Sequence, residues 1–99
     1  MRSGEKEGAI QQIKKAIEID SDEANFYHSY GKILMNFGDY EDALEQFEKA
    51  KELHFTPIET FIEMGKCLIK LKRYEDAIEN LKIYIGKHDL QFISLQFVL

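Results

Sequence analysis

The sequence predicts an all-α chain, an α-solenoid of antiparallel helix–turn–helix units, and three observations carry that prediction. One phrase is written twice: YEDALEQFEKA over residues 40–50 returns as YEDAIENLKIY over 74–84, an offset of 34 residues. Apolar residues inside each copy recur at three and four positions, which places them on one face of a helix. Turn and cap residues separate these runs at the same interval.

Taken in order, the elements follow from the repeat. Shifting Ala43, Phe47 and Ala50 back by one period lands on Ala9, Ile13 and Ala16, so a first helix over about 5–19 is the second half of an earlier copy. A helix over about 22–37 opens on Asp20-Ser21-Asp22-Glu23, whose oxygens can accept from the free N–H groups of a first turn, and it carries Tyr27, Tyr30, Gly31 and Leu34. Gly38-Asp39 closes it and opens the next, over about 40–54, with the stripe Ala43, Leu44, Phe47 and Ala50. Thr56-Pro57-Ile58-Glu59 supplies an N-cap, a first-turn proline and a glutamate three residues past the cap. It starts a helix over about 57–71 with Phe61, Met64, Gly65 and Leu68.

Lys72-Arg73 replaces Gly-Asp at the following turn, which is expected to be less well fixed. The helix after it, about 74–86, repeats the stripe as Ala77, Ile78, Leu81 and Tyr84, and a sixth helix is expected from about 89. Glycine costs a helix interior about 1 kcal/mol relative to alanine. Its use at Gly31 and again at Gly65 therefore predicts close approach of a neighbouring helix, helped by the small Ala43 and Ala77. No unit of this kind buries its apolar stripe alone, so stacking creates a continuous core.

The composition narrows the function. With 44% hydrophobic and 31% charged residues the chain reads as one globular domain. A net charge of -5 argues against nucleic acid and anionic membranes, which attract surplus Lys and Arg, and favours basic or neutral protein partners. The lone Cys67 excludes an internal disulfide and a multi-cysteine metal site and leans towards a reducing compartment, hence the cytoplasm. MRSGEKEGAI has no apolar core of a signal peptide, and no apolar run reaches the roughly 20 residues that span a bilayer.

The period, the Gly31 and Gly65 positions, the Ala43/Phe47/Ala50 triplet and the helix–turn–helix layout together resemble the tetratricopeptide repeat, over nearly the whole chain. In that resemblance Tyr27 and Phe61 fill a slot where the family often has tryptophan, Tyr30 and Met64 take its leucine slot, and Tyr40 and Tyr74 its turn aromatic. The implied organisation is a partial copy over 1–20, repeats over 24–57 and 58–91, and the start of a further or capping helix over 92–99. Three departures stand out. Tyr84 and Gly86 occupy late positions of a second helix, which is expected to end early or bend. The family's closing proline falls on Phe55, with Pro57 two residues later. Residues 1–20 supply a second helix without its first.

What the resemblance implies is a non-catalytic scaffold that holds a protein or peptide on the concave face, without a cofactor. That face would present Asn25, His28, Ser29, Lys32, Met35 and Asn36 from one copy and Glu59, Ile62, Glu63, Lys66, Ile69 and Lys70 from the next. The plain alternative is a set of solvated helix faces. A clamp for a terminal carboxylate, known in some members, would use His28 and Lys32, but Glu63 stands where the clamp has asparagine and would repel the ligand.

Other chemistry finds weaker footing. His54 and His88 share one repeat slot at the end of a second helix, where a protonated imidazole suits the negative helix end. No His-x-x-x-His or Glu-x-x-His spacing supports a metal. Cys67 lies among Met64, Leu68 and Leu71, the setting of a packed thiol rather than a nucleophile. A calcium loop counted from Asp20 fails at Asn25 and Gly31.

The tail DLQFISLQFVL repeats the first-helix pattern, with Leu95 in the Tyr27/Phe61 slot and Val98 in the Tyr30/Met64 slot. Three arrangements are open for so apolar an end: a short cap folded back on the preceding helix, pairing with another chain, or the edge of a longer protein. Contact between chains would use Phe92, Leu95 and Phe97 and make the chain a homo-oligomerising element. A regulatory appendage of a larger enzyme is the remaining alternative.

Overall fold

The structure is a computed structural model that describes the backbone of residues 2–53 and 58–98 and the side chains of 4–53 and 58–86. Among the described residues five helices follow one another: α1 (Arg2–Ile19), α2 (Ala24–Asn36), α3 (Tyr40–Glu52), α4 (Ile58–Lys70) and α5 (Tyr74–Val98). Each packs on the next, and α2 also reaches α4. The stack measures 55 × 33 × 17 Å, too thin for one central core, so burial occurs in the layer between consecutive helices.

The two internal turns share one geometry at the repeat offset. After α2, the Gly38 N–H donates to the Met35 carbonyl at 3.0 Å and the Asp39 N–H to the Leu34 carbonyl at 2.9 Å. After α4, the Lys72 N–H donates to Ile69 at 3.0 Å and the Arg73 N–H to Leu68 at 2.8 Å. Both are Schellman closures, which place the residue after the helix in the left-handed region. Gly38 meets that demand at φ 81°, and Lys72 adopts φ 60°. The Lys72-Arg73 turn thus keeps the geometry of its glycine counterpart, at a steric cost to the lysine backbone. Arg73 adds an ion pair with Asp76 at 2.9 Å. Lys72→Gly is expected to raise stability by about 1 kcal/mol, read as a higher thermal midpoint with unchanged helicity.

Helix starts are secured differently from the simplest expectation. Glu23 caps α2, its carboxylate accepting from the Asn25 N–H at 3.2 Å, while Asp20 accepts from the Asp22 N–H at 3.2 Å. Asp39 precedes α3 without a side-chain cap bond and pairs with Lys6 of α1 instead. Thr56 and Pro57 lie outside the described residues, and α4 begins at Ile58.

Leu34 of α2, Ala43, Leu44 and Phe47 of α3, and Met64, Cys67 and Leu68 of α4 form the main cluster, joined at its edges by Ile10 of α1 and Ala77 of α5. A second cluster of Ala24, Tyr27 and Ala50 packs against Ile17 and Leu53, and the Tyr27 hydroxyl donates to the Ser21 carbonyl at 2.8 Å. Full burial of one such side chain contributes roughly 1.5–3 kcal/mol. The largest share of the buried side chains thus lies where α2, α3 and α4 meet.

Two expectations are corrected, the first at one glycine only. At Gly31 the neighbouring helix α3 does approach closely, through a side chain: a Cβ there would lie 2.5 Å from Cε1 of the Phe47 ring. At Gly65 the same atom would meet only Asn80 Nδ2, at 3.8 Å, because Leu81 rather than a phenylalanine occupies the matching place on α5. The second correction concerns α5, which runs unbroken from Tyr74 to Val98 through Gly86. It neither ends early nor gives way to a sixth helix. One interior glycine costs about 1 kcal/mol, and without a proline nothing in 86–89 removes a backbone hydrogen bond.

Candidate functional site

The proposed binding residues come from α2 and α4, which lie side by side in the stack. Asn25, Ser29, Lys32 and Asn36 are exposed along α2, with His28 and Met35 half-buried. On α4, Glu59, Ile62, Lys66, Ile69 and Lys70 are exposed and Glu63 is half-buried. The i, i+3, i+4 spacing that buries Tyr27, Leu34, Phe61 and Leu68 inside puts these residues outside.

His28 joins the two helices. Its Nδ1 lies 3.1 Å from the Thr60 hydroxyl, and its ring stands 5.5 Å from that of Phe47, centre to centre. Thr60 is fully buried, so His28 serves as its polar partner as well as a surface group. Burial lowers the imidazole pKa from its usual value, the Lys32 ammonium lowers it further, and Glu59 and Glu63 oppose them. The ring is therefore neutral at pH 7. Glu63 pairs with Lys66 at 3.4 Å. Neutral His28 and anionic Glu63 leave Lys32 as the cation of that trio, a poor seat for a terminal carboxylate.

Past this face the residues divide. Ile62, Lys66 and Ile69 turn towards α5 and line an open groove of about 570 Å3 with Ile58, Tyr74, Ile78, Leu81 and Tyr84. Ile58, Ile62, Ile69, Tyr74, Ile78 and Leu81 are each about half exposed. Asn80 closes the floor: it is buried, and its Nδ2 donates to the Phe61 carbonyl at 3.0 Å. Neither Asn80 nor Thr60 stands out in the sequence, since a polar residue in a helix carries no mark of its partner 19 or 32 positions away.

Cys67 is fully buried, and its thiol pKa is raised to about 11, first by burial and then by the negative charge of Glu63. It is a protonated packing group at neutral pH. Among the described residues no three His, Cys, Asp or Glu side chains gather as a metal site, and no helix is long and apolar enough to cross a membrane. His54 and the side chains of His88, Phe92, Leu95 and Phe97 lie outside the described residues.

Comparison with known proteins agrees with the helical-repeat fold. The family model described as anaphase-promoting complex, cyclosome, subunit 3 matches residues 3–83. No curated protein sequence matches the chain. Among solved structures, the crystal structure of YrrB, a TPR protein with an unusual peptide-binding site, superposes with a TM-score of 0.74 at 28% identity, covering 86% of this chain and 44% of its own. The MamA RS-1 ArsTM double mutant superposes with a TM-score of 0.76 at 26% identity, covering 87% of this chain and 48% of its own. The chain thus spans less than half the length of either structure.

Proposed function

The chain belongs to the family described as anaphase-promoting complex, cyclosome, subunit 3, a family of tetratricopeptide repeats, and on that footing we propose that it is a non-catalytic module gripping a peptide segment on its α2/α4 face. The observation that carries the reading is the arrangement of Asn25, Ser29, Lys32 and Asn36, exposed in one row on α2 beside Glu59 and Lys70 on α4. Amide, hydroxyl and ammonium groups in such a row can bond the backbone and side chains of an extended segment, with Met35 supplying apolar contact. The peptide-binding site of YrrB supports the same use of the fold. A cytoplasmic setting fits the reduced, buried Cys67.

Selection of a phage-displayed random peptide library against the chain tests the proposal. The selected peptides are expected to bind Lys32→Glu at least tenfold more weakly, equivalent to about 1.4 kcal/mol, with helicity unchanged because Lys32 is exposed. Failure to enrich any peptide, or equal binding by Lys32→Glu and the unaltered chain, would overturn it.

A further inference from the structure

The open groove between α4 and α5 is a vacant copy of a seat that the chain fills elsewhere. Moved back by one period, its residues Ala77, Ile78 and Leu81 land on Ala43, Leu44 and Phe47, which α4 covers to 0%, 5% and 0% exposure. Ile78 and Leu81 remain 54% exposed. The groove therefore continues the helix-on-helix interface of the stack, and its shape is that of a seat for one more first helix.

The chain carries a segment with that pattern. Ile58, Phe61 and Met64, the residues with which α4 begins, correspond to Phe92, Leu95 and Val98, and residues 90–98 hold no charged side chain in a chain that is 31% charged. An uncharged segment suits a groove in which Lys66 is the charged lining residue. Yet the segment cannot reach the groove beside it. It is the continuation of α5 itself, and an unbroken helix from Tyr74 to Val98 cannot fold back along its own first half. The stretch past Gly86 holds 12 residues, about 18 Å at 1.5 Å per residue, close to the length of the 13-residue α4.

We infer that a second copy of the chain fills the groove: the C-terminal half of each α5 lies in the α4/α5 groove of its partner, giving a two-fold dimer by helix exchange. The geometry is self-consistent. Consecutive helices joined by short turns run antiparallel, so the occupant of this seat runs antiparallel to α5, and two α5 helices side by side in that sense satisfy a two-fold axis. Residues 53–57, between α3 and α4 in sequence, map one period on to 87–91, where the two α5 helices then cross. Gly86 sits at the edge of that crossing. It is exposed, nothing lies within 4 Å of the place a Cβ would take, and the absence of a side chain there permits close approach of the second helix. Every contact is made twice in such an exchange, as in any two-fold interface.

Sedimentation equilibrium of the 99-residue chain, alone and with two charge variants, tests the inference. The unaltered chain is expected at twice its mass of 11.6 kDa. Leu81→Glu alters the groove at a half-exposed position and leaves the helix intact, and Leu95→Glu alters the inserted segment; each alone is expected to be monomeric with full helicity. A 1:1 mixture of the two should recover dimers, since one intact segment then meets one intact groove. A monomeric unaltered chain overturns the exchange, as does a Leu81→Glu variant that stays dimeric, which would mean that the tails pack on each other. A mixture that stays monomeric would also overturn it. Loss of peptide binding on Lys32→Glu concerns a different face, so the two proposals fail separately.

Discussion

Phe47→Ala is expected to lower stability by about 3–5 kcal/mol, the cost of emptying a fully buried aromatic site. Phe47 is 0% exposed and lies between Gly31, His28 and the α4 residues of the main cluster. Domains of this size are stable by only about 5–15 kcal/mol, so the thermal midpoint should fall by on the order of 20 °C. Leu81→Ala gives the contrast. It occupies the same slot one repeat later but is 54% exposed, and its truncation should cost under about 1 kcal/mol in the isolated chain. Calorimetry of the two variants in the Leu95→Glu background, where no second copy fills the groove, compares one repeat position with and without its covering helix. Equal losses would contradict the account of where the core lies.

The second large effect concerns glycine. A methyl at Gly31 would sit 2.5, 2.7 and 2.8 Å from three Phe47 ring carbons, and the ring is too enclosed to swing aside. Gly31→Ala should therefore cost about 1–3 kcal/mol through overpacking, even after the gain in helix propensity. Gly65→Ala should stabilise by about 0.5–1 kcal/mol, because its nearest neighbour, Asn80 Nδ2 at 3.8 Å, is at ordinary contact distance. In the Phe47→Leu background, which gives the first repeat the pairing of the second, the penalty of Gly31→Ala should largely vanish. A double-mutant cycle on denaturant midpoints reads this directly, and a coupling energy below about 0.5 kcal/mol would show that the ring is not the cause.

These two glycines show what the sequence could and could not tell. The 34-residue period located helix starts at Tyr40 and Tyr74, the stripe Ala43, Leu44, Phe47 and Ala50, and the turn after Leu71. It identified the family for the same reason: repeated burial leaves a repeated apolar pattern. It anticipated a close neighbour at Gly31 without naming the ring 16 positions away that supplies it, and it treated Gly65 as equivalent although Leu81 lacks that ring. The closure at Lys72 was hidden because a left-handed lysine leaves no compositional mark. The unbroken α5 was hidden because Gly86 and the period both favoured a stop, while helix propagation needs only an intact run of backbone donors. Among candidate site residues the exposed row on α2 was legible from spacing. The division of α4 between that face and the groove was not, because it depends on where α5 lies.

Peptide binding on the α2/α4 face can be read residue by residue by titrating a selected peptide into the 15N-labelled chain and following backbone amide shifts. The largest changes are expected at Asn25, Ser29, Lys32 and Asn36, continuing to Glu59 and Lys70 of α4. Largest changes at Glu45, Glu48 and Lys49 on the outer side of α3, with the α2 row unmoved, would contradict it.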